Sequence, residues 1–449
     1  MTPRRLLGLA LAAWCIAVGL GVAFGAPLTH DEASYALLAR GTDVDWLYRP
    51  RGVVALAHIG VALGGGDVAL RLASAVLGIG FVLAVAGLGK RAFGPWVGAW
   101  SAALVVGAHP FVIAGAELLG DLPSSTCLLL AVTLLIGELD RPAGPRGRLV
   151  AAGPLLAAAF YLRYGSAPMI ALIVSAALVA WWRGVRARPA PVLAMLAALG
   201  VLLAPFAYAS HVVTGSVLGI LVLSRKVASP PVTGEGLQSF LLGNPFISYG
   251  ALLPPVLLAG LAAIARPPPA RRVAWFLGVL AIGQILTIGL IAHGEPRYVF
   301  FGLALLVCLG VDGFRRALAA HPALARRTVP LAAVLVAASA VITAGAQPYF
   351  KSRTSAVLAE TVADAAAIRA DAAGRPCTII APDVPQLMWY AGCSGERPGS
   401  AGAAAPLAAE RRWYTAPSMG RLLDPAAIAQ SRQVVPVALP AAPSAWLLR

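Results

Sequence analysis

The chain has 449 residues, of which 59% are hydrophobic and only 12% are charged, with a mean hydropathy of +0.80. Soluble domains carry about 25% charged residues, so this composition excludes an ordinary soluble protein. The net charge of +16 would suggest nucleic acid in a soluble protein, but here the basic residues follow the membrane topology described below. We therefore expect no nucleic-acid partner and predict an all-α polytopic membrane protein.

About eleven apolar segments come close to the length that crosses a bilayer core of roughly 30 Å. The first follows Arg4 and Arg5; its apolar part is long for a signal peptide, so we interpret it as an uncleaved span. Two short segments flank the sequence YLRYG and are expected to form a broken hairpin. The predicted spans are residues 6–26, 69–89, 96–113, 121–137, 148–162, 165–182, 191–208, 248–265, 272–292, 298–312 and 328–346.

The basic residues predict the orientation of these spans. With the N-terminus in the cytoplasm, 17 of the 35 lysines and arginines fall in cytoplasmic loops, 8 in the opposite loops and 10 in the tail. Every short inside loop then carries at least two basic residues, as the positive-inside rule requires. We predict a multi-pass protein of the inner (plasma) membrane, with a cytoplasmic N-terminus and an extracytoplasmic tail.

The chain divides into two predicted domains. Residues 1–346 form a transmembrane module with large outer loops at 27–68 and 209–247. Residues 347–449 form a small extracytoplasmic α/β domain, because a helical pattern there is followed by apolar strand-like runs such as CTIIAP and QVVPVALP. The tail cysteines, Cys377 and Cys393, can pair if this domain lies in an oxidising compartment.

Adjacent carboxylates, Asp31 and Glu32, follow the first span within the sequence HDEASYALLARG. They either cap a helix at the solvated membrane surface or serve in chemistry. A carboxylate held against apolar surface becomes more basic and can take a proton from a hydroxyl group. Two neighbouring carboxylates are also a possible divalent metal site. Tyr35, one turn later, either packs or orients a sugar.

Four basic side chains on the predicted outer side are candidates for binding a negatively charged substrate. Arg163 in YLRYGS and Arg297 in GEPRYVF are embedded between spans. They either bind a phosphate through forked hydrogen bonds or anchor helix ends by snorkelling. Arg71 begins the second span and is an interfacial anchor or a substrate ligand. Lys226 is a further candidate in a loop of unknown depth.

The segment HDEASYALLARG, followed by RPRGVVALAHIGVALGGGDVALRLASAVLG, KRAFG and AELLGDLPSS, resembles the GT-C superfamily of membrane glycosyltransferases. The likeness is to the protein O-mannosyltransferase-like branch, which includes lipid A aminoarabinose transferases. It covers roughly the first 180 residues and, weakly, the segment EPRYVFFGLALL.

The resemblance implies a GT-C fold and transfer of a sugar from a polyprenyl-phosphate donor, with inversion, on the extracytoplasmic face. The acceptor is a lipid, a glycan or a protein, and no cofactor is implied beyond a possible divalent metal at Asp31 and Glu32. Asp31 matches the expected catalytic base, with Glu32 beside it. Asp121 matches a second acidic residue in the next outer loop, with Glu117 one helical turn earlier.

Two other functions compete with this interpretation. A transporter or lipid flippase predicts charges near the bilayer midplane and broken helices in paired halves, whereas the charges here cluster at the outer boundary. A non-catalytic membrane protein that binds a partner through its tail is the second alternative.

Overall fold

The computed structural model describes most of the chain, and it is predominantly helical. The described residues are 1–42, 48–140, 147–228, 233–241, 256, 258–260, 262, 271–292, 294–381, 384–396, 412–416, 436–439 and 445–448. Its helices are numbered here α1 (Pro3–Ala23), α2 (His30–Ala39), α3 (Arg51–Ala62), α4 (Asp67–Phe93), α5 (Pro95–Val106), α6 (His109–Gly115), α7 (Asp121–Leu139), α8 (Ala152–Leu162), α9 (Ala167–Ala180), α10 (Trp182–Ala187), α11 (Ala190–Thr214), α12 (Gly219–Ala228), α13 (Glu235–Leu241), α14 (Arg271–Ile291), α15 (Phe300–Ala320), α16 (Pro322–Ala372) and α17 (Val384–Ala391).

Seven of the described helices are long and apolar enough to cross a membrane, or eight if the bent pair α5 and α6 forms one span. This confirms the predicted multi-pass helical architecture. The predicted spans at 148–162 and 165–182 are shorter apolar helices on either side of Arg163. The predicted span at 248–265 lies mostly outside the described residues.

The predicted span at 96–113 corresponds to the bent pair α5 and α6, which meet at an angle of 76° instead of forming one straight helix. Pro110 occupies the first turn of α6, where its missing N–H is tolerated, although inside a continuous helix it would remove a backbone bond. The Gly107 carbonyl, released at the end of α5, accepts hydrogen bonds from the hydroxyls of Ser339 and Thr343. The bend therefore leaves this polar backbone group satisfied.

The chain separates into two compact units, which are described one at a time. The first contains Met1–Gly21, Trp46–Val53 and Ser74–Ala346. Its interior holds a cluster of aromatic rings, in which Phe111 lies 5.3 Å from Phe81 and 4.5 Å from Phe300 between ring centroids. These rings pack α4, α6 and α15 together, as expected for buried aromatic side chains.

The second unit contains Val22–Asp45, Val54–Ala73 and Gln347–Arg449. Its sheet consists of β1 (Cys377–Ile380), β2 (Ser394–Glu396), β3 (Arg412–Thr415), β4 (Pro436–Ala438) and β5 (Trp446–Leu448). The strand order is β2-β1-β3-β5-β4, with β1 parallel to β2 and β3, and β5 antiparallel to β3 and β4. A disulfide joins Cys377 to Cys393, with a Cα–Cα distance of 4.9 Å.

The C-terminal region therefore contains a small sheet, as predicted, although its first helix differs from the predicted one. The sequence predicted a span at 328–346 and a separate helical pattern within the tail. The structure instead has one continuous helix, α16, from Pro322 to Ala372. Gly374, with a φ of +77°, lies just beyond its end, in the conformation that commonly terminates helices.

Candidate active site

An ion pair in the first unit brings together two of the predicted site residues, Asp121 and Arg163. Asp121 is the first residue of α7, where the helix dipole stabilises a negative charge. Arg163 is an extended residue at the end of α8, with φ of −157° and ψ of 109°. The break in the hairpin therefore turns the arginine out of the helix and towards the acidic residue.

Close backbone packing explains why these two residues meet. A Cβ on Gly120 would collide with the carbonyl oxygen of Leu162, so only glycine permits this approach. The two residues directly precede Asp121 and Arg163. In addition, the Ser124 hydroxyl donates to the Ala159 carbonyl at 2.9 Å, which fastens α7 to α8. The close contact between the residues that precede Asp121 and Arg163 thus brings the two charged side chains together.

A third chain segment joins this pair. The Arg163 guanidinium lies over the Tyr298 ring, 4.2 Å from its centroid, a distance suited to a cation–π contact. Tyr298 belongs to the short 3₁₀ turn Pro296–Val299. Gln284 of α14 donates to its carbonyl and accepts from the Gly302 N–H, which holds the turn in place.

The same turn carries Arg297. Its Nε lies 2.5 Å from the Glu295 carboxylate, and its guanidinium lies 5.7 Å from the Tyr298 ring centroid. Glu117 is half-buried in the chain between α6 and α7. The side chains of Arg163 and Arg297 are 22% and 24% exposed, respectively, so neither is fully enclosed by protein. Forked guanidinium groups suit phosphate oxygens.

Glu32 and Arg71 form a buried ion pair in the second unit. Arg71 Nε donates to Glu32 Oε1 at 2.7 Å, and Arg71 Nη2 donates to Oε2 at 2.8 Å. Neither side chain is more than 1% exposed. Glu32 also accepts from the N–H of Thr29, the residue that caps α2, as in a capping box.

Arg71 binds the chain before α2 as well. Its Nη1 donates to the Ala26 carbonyl at 2.7 Å and its Nη2 to the Pro27 carbonyl at 3.3 Å. One guanidinium therefore bonds both to the chain segment that precedes α2 and to the first turn of α2. Arg71 and Glu32 are therefore bonded to each other and to the backbone around the start of α2, a pairing that the sequence did not predict.

Asp31 differs from its neighbour, since its side chain is only half-buried in the first turn of α2. Tyr35, one turn further, is 6% exposed. Lys226 lies in α12, but its side chain is outside the described part of the structure.

A divalent metal at Asp31 and Glu32 fits these residues poorly, because both oxygens of Glu32 accept from Arg71. Among the described residues, no group of three or more histidine, cysteine, aspartate or glutamate side chains is arranged to hold a metal ion. We therefore derive no chemical step through a metal. The metal site stays a prediction, which a transfer assay with chelator and added Mg²⁺ or Mn²⁺ tests.

Two tyrosines that contact these charged residues or the chain next to them, Tyr298 and Tyr390, were not predicted from the sequence. Tyr298 directly follows the predicted Arg297, and an aromatic neighbour of an embedded arginine is a usable signal. Tyr390 hydrogen-bonds to Asp67 and to the Leu28 N–H. Its partners are more than 300 positions away, so no local pattern indicates them.

Comparisons with known proteins agree with this architecture. Residues 49–208 match the family model described as dolichyl-phosphate-mannose-protein mannosyltransferase. That range includes Arg71, Glu117, Asp121 and Arg163, whereas Asp31 and Arg297 lie outside it. No sequence among the curated proteins matches the chain.

Solved structures share the fold at low sequence identity. ArnT from Cupriavidus metallidurans bound to undecaprenyl phosphate has a TM-score of 0.70 and 16% identity, over 99% of this chain and 97% of that one. The archaeal oligosaccharyltransferase AglB from Archaeoglobus fulgidus, in complex with an inhibitory peptide and a dolichol-phosphate, has a TM-score of 0.57 and 13% identity, over 89% of this chain and 65% of that one. The chain thus shares the fold of these solved structures, as its sequence predicted, and its residues 49–208 match the model of the dolichyl-phosphate-mannose-protein mannosyltransferase family.

Proposed function

We propose that the protein is an inverting glycosyltransferase that moves a sugar from a polyprenyl-phosphate donor to a lipid, glycan or protein acceptor on the extracytoplasmic face of the membrane. The main support for this proposal is the position of Arg163, which pairs with Asp121 and stacks on Tyr298 at a helix break. Ionisable groups within membrane-spanning regions are costly and mark functional sites. The likeness to ArnT bound to undecaprenyl phosphate supports a lipid-linked donor.

The proposed reaction has one displacement. An acceptor hydroxyl attacks the anomeric carbon, the new glycosidic bond forms, and the bond from that carbon to the donor phosphate breaks on the opposite face. Asp31 accepts the hydroxyl proton as general base. The polyprenyl phosphate leaves with the bonding electron pair.

Arg163 and Arg297 are the proposed phosphate ligands. The leaving phosphate gains negative charge as the bond breaks, and guanidinium groups stabilise such charge where water is depleted. Asp121 orients Arg163 through their ion pair. Arg163→Ala is therefore expected to raise the KM for the lipid donor as well as to lower kcat.

The test is a transfer assay with purified protein in lipid nanodiscs and a panel of polyprenyl-phosphate hexoses and pentoses. Asp31→Asn should lower kcat by about 10²- to 10⁴-fold, the usual contribution of a general base. Glu360→Gln is the matched control, because it neutralises an exposed carboxylate on α16 and should leave kcat unchanged.

Three results would refute parts of this proposal. Equal rates for wild type and Asp31→Asn would remove Asp31 as the base. An unchanged donor KM in Arg163→Ala would remove the phosphate assignment. Failure of the wild type to transfer any sugar of the panel would count against glycosyl transfer itself.

A further inference from the structure

We propose that two adjacent tail residues, Trp389 and Tyr390, are positioning residues that hold both ends of α2, the helix that carries Asp31. This inference rests on the proposed role of Asp31 for its effect on catalysis. All of the groups involved belong to the second compact unit.

Tyr390 holds the chain segment that immediately precedes α2. Its hydroxyl accepts a hydrogen bond from the Leu28 N–H at 2.6 Å and donates to Asp67 Oδ2 at 2.6 Å. Leu28 is fully buried and immediately precedes Thr29, the N-cap of α2. A phenol has one proton to donate, and Tyr390 donates it to Asp67. Its oxygen then holds the Leu28 N–H, next to the first turn of α2, which carries Asp31.

Trp389 holds the other end of the same helix. The Arg40 guanidinium lies over the indole ring, 3.5 Å from its centroid, and Arg40 is the C-cap residue of α2. The indole Nε1 donates to Asp67 Oδ1 at 3.2 Å. Asp67 therefore receives one bond from each of the two adjacent aromatic residues and fixes their orientation.

The protonation of Tyr390 agrees with this role. Burial, and then the hydrogen bond to the Asp67 carboxylate, raise the pKa of the Tyr390 hydroxyl well above its usual value. The phenol therefore keeps its proton, so it continues to donate to Asp67 throughout the range in which enzymes are assayed. An ionised phenolate would lose that donor and place two negative charges side by side.

The rest of the tail secures α17, the helix that carries both residues. The disulfide between Cys377 and Cys393 joins the start of β1 to the segment just after α17. Trp389 is 5% exposed and Met388 is 1% exposed, so α17 is packed rather than loosely tethered. The tail thus supplies a rigid support for α2, and Asp31 is the second residue of that helix.

The experiment compares Tyr390→Phe with Tyr414→Phe. Both remove one phenol that donates to a carboxylate in the same unit, since the Tyr414 hydroxyl donates to Asp371 Oδ2 at 2.7 Å. Tyr414 is fully buried and lies in β3, and within the described part of the chain its hydroxyl donates to Asp371 of α16 rather than to α2. Trp389→Phe is a second test variant that keeps an aromatic ring but removes the indole N–H.

We expect Tyr390→Phe to lower kcat for sugar transfer by about 10- to 100-fold, because a misplacement of about 1 Å can cost 10²-fold in rate. The KM for the lipid donor should stay within about twofold. Tyr414→Phe should keep the wild-type kcat. Hydrogen exchange should be faster in peptides covering residues 26–33 of Tyr390→Phe, and unchanged there in Tyr414→Phe.

Equal exchange over residues 26–33 in Tyr390→Phe and wild type would overturn the inference, whatever the activity. Faster exchange with an unchanged kcat in both Tyr390→Phe and Trp389→Phe would also overturn it, because positioning would then not matter for transfer. If the wild type transfers no sugar of the panel, the proposed function fails. The exchange comparison then still decides whether Tyr390 holds α2.

Discussion

Removal of the Arg71 guanidinium should destabilise α2 and the chain before it more than any single surface substitution. In Arg71→Met, the buried Glu32 carboxylate loses both of its guanidinium hydrogen bonds. The carbonyls of Ala26 and Pro27 lose their donor in the same variant. Breaking a buried pair by removing one partner costs about 3–5 kcal/mol, and we expect a loss of this size.

A double-mutant cycle separates the charge from the hydrogen bonds. Glu32→Gln keeps the shape of the side chain and one acceptor oxygen for Arg71, but it removes the counter-charge. Because one hydrogen bond can remain, its expected cost is about 1.5–3 kcal/mol, less than that of Arg71→Met. The double variant removes both charges, so the chief remaining loss is that of the Ala26 and Pro27 carbonyl bonds. Its destabilisation should therefore fall short of the sum of the two single variants by about 2 kcal/mol.

Hydrogen exchange of peptides covering residues 24–40 measures this local free energy of opening, and thermal unfolding in nanodiscs measures its global consequence. Arg315→Met is the matched control. It removes the same side chain from an ion pair with Asp312, but Arg315 is 49% exposed and Arg316 also contacts that carboxylate. The control should cost less than about 1 kcal/mol.

Two results would refute this reasoning. Fully additive effects of the two single variants would mean that Glu32 and Arg71 are not coupled. A Glu32→Gln variant that keeps wild-type exchange protection but loses transfer activity would make Glu32 a participant in the chemistry rather than a support.

The remaining predictions concern backbone packing and the tail. Gly120→Ala should lower both transfer activity and thermal stability, since its Cβ would collide with the Leu162 carbonyl. Gly87→Ala should leave both unchanged, because apart from its own stretch of helix no described atom lies within 4 Å of the new Cβ. The Cys377–Cys393 disulfide closes a loop with a sequence separation of 16, so its reduction should destabilise the tail by about 3 kcal/mol. The measurement is the rate of proteolysis at residues 377–393, which should rise; an unchanged rate would contradict this.

The membrane helices were predictable because apolar length is a direct physical requirement of the bilayer. The bend between α5 and α6 was missed, although Pro110 is a local signal for it. The short strands β2, β3 and β5 were missed for a different reason. Each has only three or four residues, and such runs show too little alternation to stand out from the surrounding chain.

For the candidate site, the sequence identified charged residues but not their partners. Arg163 and Arg297 were chosen because charges among apolar spans are costly, and that argument does not depend on tertiary structure. Asp121 was chosen from the resemblance to the GT-C superfamily. The pairing of Glu32 with Arg71 joins residues 39 positions apart. Before the fold is known, nothing separates this pairing from the alternatives of a metal ligand or an interfacial anchor.

The adjacent carboxylates of α2 can now be assigned different roles on physical grounds. Successive side chains on an α-helix point about 100° apart, because the helix has 3.6 residues per turn. Glu32 therefore reaches the buried Arg71 with both of its oxygens, and its negative charge is balanced there. Asp31 points elsewhere and stays half-buried. We infer that Glu32 holds the first turn of α2 while Asp31 performs the chemistry. Asp31→Asn should then lower kcat with normal exchange protection of α2, whereas Glu32→Gln should lose that protection; the reverse pattern would exchange the two roles.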